Sequence, residues 1–96
     1  MAAVKINVDL QPLDETPVSR MTWHDAQLYV KSLGSGWRLP TNEELAELQP
    51  NHFHGKCYWS GTENTPNEAN ICYAKKKGIR PNYKFNVSYV RAVRTI

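Results

Sequence analysis

Trp37-Arg38-Leu39-Pro40-Thr41-Asn42-Glu43-Glu44-Leu45 is the stretch on which the fold turns. Its second half opens a helix. Thr41 offers a hydroxyl to the freed N–H groups of a first turn, and Glu44 stands three residues on, as in a capping box. Glu43 and Glu44 place negative charge at the positive end of the helix dipole. Leu45 and Leu48 fall on one face, and Pro50 is expected to end the helix. The first half, Trp37-Arg38-Leu39-Pro40, is too short to stand as an element and too apolar to be a free loop, so it must be packed. Pro40 presets the backbone for the helix, Arg38 is placed to hydrogen-bond carbonyls or an acid near the junction, and Trp37 and Leu39 are expected in the core.

Upstream, Gly34 and Gly36 stop an earlier helix. It begins at Thr22, with Asp25 three residues on, and Ala26, Tyr29, Val30 and Leu33 recur on one face. Met21, just before the cap, is placed to staple onto that face. Residues 11–19 carry Pro12 and Pro17 among polar side chains and read as a loop. Before them Val4, Ile6, Val8 and Leu10 alternate with Lys5, Asn7 and Asp9, the period of a half-buried strand.

Downstream the helical period disappears. Cys57-Tyr58-Trp59-Ser60 and residues 69–75 read as two strands joined by a polar turn over residues 61–68, an antiparallel hairpin with Trp59 as a second core ring. Residues 76–82 read as a polar connection. Residues 83–95 are a last extended stretch whose imperfect alternation implies a bend near Asn86 or Ser88. Strand, helix, helix and then several strands predict an α+β fold: two helices packed on a small twisted antiparallel sheet, with the N- and C-terminal strands paired. No repeat, low-complexity tract or linker interrupts the chain, so residues 1–96 are expected to form a single domain.

A hydrophobic fraction of 41% with ten aromatic residues is ample for one core in 96 residues. The start lacks the apolar region of a signal peptide, and no run is long enough to span a bilayer, so a cytoplasmic protein with no membrane contact is expected. The net charge of +3 is unevenly spread: all nine acids precede residue 69, whereas Lys75, Lys76, Lys77, Arg80, Lys84, Arg91 and Arg94 follow it. Such a basic segment attracts an acidic protein surface or nucleic acid, or else is a solvated, solubilising face. No glycine-rich phosphate loop, nucleophile elbow or metalloprotease helix motif occurs, which speaks against hydrolytic and nucleotide-dependent enzymes.

With these motifs in place, the chain resembles a bacterial and phage family of C-type-lectin-like domains found at the C-terminus of collagen-like adhesins and related to the formylglycine-generating-enzyme fold. Trp37-Arg38-Leu39-Pro40-Thr41 with Glu44, Leu45 and Leu48 carries the likeness first. Met21-Thr22-Trp23-His24-Asp25-Ala26 is similar to that family's first-helix start, Tyr58-Trp59-Ser60-Gly61-Thr62-Glu63 to its strand and turn, and Tyr89-Val90-Arg91-Ala92-Val93-Arg94 to its closing strand. The resemblance implies a C-type-lectin-like fold, which hosts sugar binding, protein binding, adhesion and, in one branch, oxidative catalysis.

That catalytic branch binds copper through a cysteine pair, which directs attention to Cys57 and Cys72. They do not fall in a matching motif. A hairpin centred near Asn64 and Thr65 would make them face each other across strands, within reach of a disulfide if oxidised, although reduced thiols are the default for a chain with only two cysteines. His52, His54, Cys57 and Cys72 have the ligand types of a zinc site without the spacing of a paired knuckle. Asn64, Asn67, Glu68 and Asn70 offer oxygens to calcium, yet a hairpin turn is naturally polar, and the paired motifs of calcium-dependent lectins are missing. No cofactor or metal is therefore assigned.

The expectation is a non-catalytic protein-binding module, of phage type and directed at a host protein that it binds and inhibits. Its partner is expected to present an acidic surface to Lys75, Lys76, Lys77, Arg80, Tyr83 and Lys84, with Asn64 and Asn67 of the preceding loop beside them. Trp37, Arg38, Leu39, Pro40 and Trp59 are expected to be structural. The alternatives are a nucleic-acid-binding protein that uses the basic 75–84 segment, with Tyr83 stacking on a base, and a carbohydrate-binding adhesin or receptor-binding domain.

Overall fold

The computed structural model describes residues 8–12, 15–17, 19–52, 57–73 and 78–95. Among them run, in chain order, β1 (Val8–Leu10), α1 (Trp23–Ser32), β2 (Trp37–Arg38), α2 (Asn42–His52), β3 (Trp59–Thr65), β4 (Glu68–Tyr73), β5 (Gly78–Tyr83) and β6 (Val93–Thr95). Both helices start as their sequences predict. The Thr22 hydroxyl accepts from the Asp25 N–H at 3.3 Å. At α2 the capping box is reciprocal, since the Glu44 N–H donates to Thr41 Oγ1 at 3.2 Å while the Thr41 N–H donates to Glu44 Oε1 at 2.8 Å. Gly34 and Gly36, with φ of 119° and 90°, turn the chain from α1 into β2 in conformations that other residues rarely adopt.

Two three-stranded antiparallel sheets are found where one was expected, in the orders β1-β6-β2 and β3-β4-β5. The N- and C-terminal strands do pair, with Val8 opposite Thr95 and Leu10 opposite Val93. The first-strand residues before Val8 lie outside the described residues. The polar stretch after Ser60 continues as strand to Thr65, leaving only Pro66 and Asn67 as the turn, and register shifts on either side of Glu63 absorb the mismatch. Residues 78–82, read as part of a connection, form β5 with Tyr83 instead. Its place at the edge of the sheet tolerates Pro81, which cannot donate to a ladder. Pro50 does not end α2. So near the end of a helix it forfeits a single ladder hydrogen bond, and the turns continue past it to His52. The bend near Asn86 is present, closed by the Asn86 N–H on the Tyr83 carbonyl at 3.0 Å.

The β3-β4-β5 sheet separates two clusters. Trp59, Ala69 and Ile71 pack with Trp23, Ala26 and Val30 of α1 and with Leu39, Val90 and Ala92. On the other face Tyr58 and Cys72 pack with Leu45 of α2, Ile79 and Tyr89. Trp59 is fully buried, and its indole N–H donates to the Met21 carbonyl at 2.8 Å. Trp37 packs against the first cluster but is only half-buried, at the rim of the core and not inside it. It lies on the short strand β2, with one part of its ring packed on the first cluster and the Arg94 guanidinium 4.9 Å from the ring centroid.

Candidate functional site

The corner from Trp37 to Leu45 turns its polar groups inward. Arg38 grips Glu44 with both terminal nitrogens, at 2.7 and 2.9 Å, and donates to the Leu39 carbonyl and to Thr95 Oγ1. The Arg38 guanidinium, opposed by burial but reinforced by the Thr41 N–H, holds the Glu44 carboxyl below the usual carboxylate range. Pro40 is fully buried, and its carbonyl accepts from the Gly61 N–H at 2.8 Å, an approach that brings Leu39 to within 3.3 Å of where a Cβ on Gly61 would lie. Arg38, Leu39 and Pro40, like the buried Trp59, thus all make contacts within the fold.

Among the expected partner contacts, Lys75, Lys76 and Lys77 lie outside the described residues. Arg80 is exposed on β5. Asn64 is exposed on β3, with its amide donating to Asn70 Oδ1 at 2.7 Å, and the buried Asn70 is thereby taken up within the hairpin. Lys84 is not the solvent-facing contact that its charge predicted. Its side chain is only 8% exposed, its ammonium lies 4.4 Å over the Trp23 ring, and it is paired with Glu63. A long aliphatic stem and an aromatic face make that burial tolerable, and the ion pair supplies the rest.

Burying Lys84 turns its neighbours outward. Tyr83 and Phe85 are 51% and 72% exposed, and their rings stack on each other at a 10° interplanar angle with centroids 5.1 Å apart. The Lys84 N–H donates to the Asn67 carbonyl at 2.8 Å, which draws the β3–β4 turn alongside. The result is a groove of about 620 Å³ lined by Thr22, His24, Pro66, Asn67, Tyr83, Lys84 and Phe85. Three residues read from the sequence as contacts, Asn67, Tyr83 and Lys84, therefore meet at one site, although Lys84 reaches it with little of its side chain exposed. His24, legible in the sequence only as part of the first-helix start, and Phe85 are not among the expected contacts; the available signal for Phe85 is the alternation of Tyr83, Lys84 and Phe85, which puts the two rings on the side opposite the lysine.

The cysteines do not face each other. Trp59 pairs with Ile71, and the Cys72 N–H donates to the Tyr58 carbonyl, so Cys72 stands opposite Tyr58 and packs with it on the α2 face. Cys57 packs beside the Trp59 cluster instead. Both are free thiols, and burial pushes Cys72 up to about 11. Two thiols packed in different clusters do not make the shared site of a copper-binding pair. No group of three or more His, Cys, Asp or Glu side chains is placed to hold a metal among the described residues, and His54 and the His52 side chain lie outside them.

No helix among the described residues is long and apolar enough to cross a membrane. The sequence profile of the sulfatase-modifying factor enzyme 1-like domain matches residues 3–94. Comparison with curated proteins gave no match.

Proposed function

The chain belongs to the sulfatase-modifying factor enzyme 1-like domain family, whose fold is C-type-lectin-like and which includes catalytic enzymes; from that premise we propose that this member is a non-catalytic, cytoplasmic protein-binding module. The observation that carries the reading is the stacked, exposed pair Tyr83 and Phe85 beside the β3–β4 turn. Exposed aromatic rings at a groove are costly to solvate and supply the anchors on which protein interfaces depend. The packing of Cys57 and Cys72 in different clusters supports a role without the copper chemistry of the catalytic branch.

The basic segment, with Arg80 exposed and Lys75, Lys76 and Lys77 beside it in sequence, suits a partner with an acidic surface and speeds encounter with it. The likeness to phage and bacterial domains makes a host protein the proposed target and its inhibition the proposed outcome. Affinity capture with the tagged chain, before and after nuclease, tests this. A specific protein should be retained after nuclease and lost with Tyr83→Ala plus Phe85→Ala, at unchanged melting temperature. Capture that nuclease abolishes would replace the reading with nucleic-acid binding, and capture indifferent to both substitutions would remove the aromatic face from it.

A further inference from the structure

We propose that the groove beside the hairpin turn continues along α1 as a trough that receives an extended segment of the partner protein, one in which aromatic or branched apolar side chains alternate with carboxylates. The inference rests on the protein-binding reading and names the ligand chemistry. A second concavity of about 440 Å³, lined by Trp23, His24, Gln27, Leu28 and Lys31, meets the first at His24. His24, Gln27, Leu28 and Lys31 stand at i, i+3, i+4 and i+7 and so share one face of α1. From Thr22 to Lys31 that face rises roughly 14 Å, the length of about four residues of extended chain, and the hairpin turn prolongs it.

Apolar anchors occur at both ends of the trough. Leu28 is 66% exposed in the second concavity, as Tyr83 and Phe85 are in the first. Its electrostatics are one-sided. Among the described residues no carboxylate lines either concavity, and the ionisable side chains that do are His24, Lys31, Lys84 and Tyr83. Lys84 is already matched by Glu63, whereas Lys31 is exposed and, among the described residues, outside every ion pair. A segment with apolar side chains on one side and carboxylates near Lys31 satisfies both features, and a cationic segment satisfies only one.

Three labelled peptides of about eight residues, enough to cover the trough, test the proposal: phenylalanine alternating with glutamate, with lysine or with serine. Anisotropy titration and backbone amide shifts of the full chain are the readouts. The glutamate peptide should bind about tenfold more tightly than the lysine peptide and shift the Thr22, His24, Leu28 and Asn67 amides. Lys31→Glu should erase that preference, and Leu28→Ser should weaken binding roughly fivefold with the fold retained. Equal binding of the glutamate and lysine peptides, shifts elsewhere, or no binding of any peptide would overturn the inference. If Lys31→Glu and Leu28→Ser leave partner capture intact while Tyr83→Ala with Phe85→Ala abolishes it, the trough falls and the protein-binding reading stands.

Discussion

The corner at residues 37–45 and the turn at residues 83–87 solve opposite problems with similar materials, since each combines a cation, an anion and aromatic rings. At the corner Arg38 closes on Glu44, and the Glu44 carboxylate in turn caps α2, so polar groups are spent on holding the chain in place. At the turn Lys84 closes on Glu63 over the Trp23 ring, and that inward pull leaves Tyr83 and Phe85 outside, with Val87 43% exposed beyond them. One arrangement hides its apolar surface, and the other displays it. Shared residue types therefore do not predict shared roles: the corner makes the fold, and the turn makes a surface that the fold does not need.

The contrast breaks first on core size. Trp59→Ala should cost about 3 to 5 kcal/mol in denaturant melts, the range for a fully buried large ring, and Phe85→Ala should stay within roughly 0.5 kcal/mol. Half-buried Trp37 should fall between them at about 1 to 2 kcal/mol, because its ring packs on the first cluster with one part only and meets Arg94 with another. Equal losses at Trp59 and Phe85 would mean that the turn is as structural as the corner.

A smaller effect separates the two ends of the Lys84 ion pair. Glu63→Gln keeps an acceptor for the buried ammonium but removes its counter-charge and should destabilise by about 1 to 2 kcal/mol, a figure held down by solvent around the half-exposed carboxylate. Lys84→Met keeps the stem packed and releases Glu63 to water, so it should be nearly neutral. If thermal melts show the lysine change to be the worse, the ammonium contributes more than its burial suggests.

Least of all, Glu44→Gln should cost about 0.5 to 1 kcal/mol at neutral pH by weakening the cap and the Arg38 grip. The folded-state pKa of Glu44 lies below its unfolded value, so the contribution is whole above the unfolded value and is lost as pH falls through the folded one. Melts of wild type and variant should converge in acid. A gap that persists there would assign the loss to packing rather than charge.

The corner was legible in the sequence because its devices are local: Thr41 with Glu44 and Thr22 with Asp25 are spacings of three, and the structure places each hydrogen bond accordingly. What escaped is decided at long range. β5 carries Pro81 and Asn82, poor strand formers, and is a strand because β4 offers it a ladder from Glu68 to Tyr73. Lys84 looked solvated because lysine usually is, and only the approach of Trp23 and Glu63, 61 and 21 positions away in sequence, reverses that. The groove inherits the same difficulty. Asn67 and Tyr83 could be singled out one by one, yet their meeting depends on the Glu68–Tyr83 register and on the hydrogen bond from Lys84 to Asn67.

The pairing of β1 with β6 also has a mechanical meaning. Val8 and Thr95 are partners at the same end of the ladder, where the chain enters β1 and leaves β6. Tension applied through both flanks would load that pair first, then Asp9 with Arg94, then Leu10 with Val93, opening them in turn like a zipper rather than shearing them together.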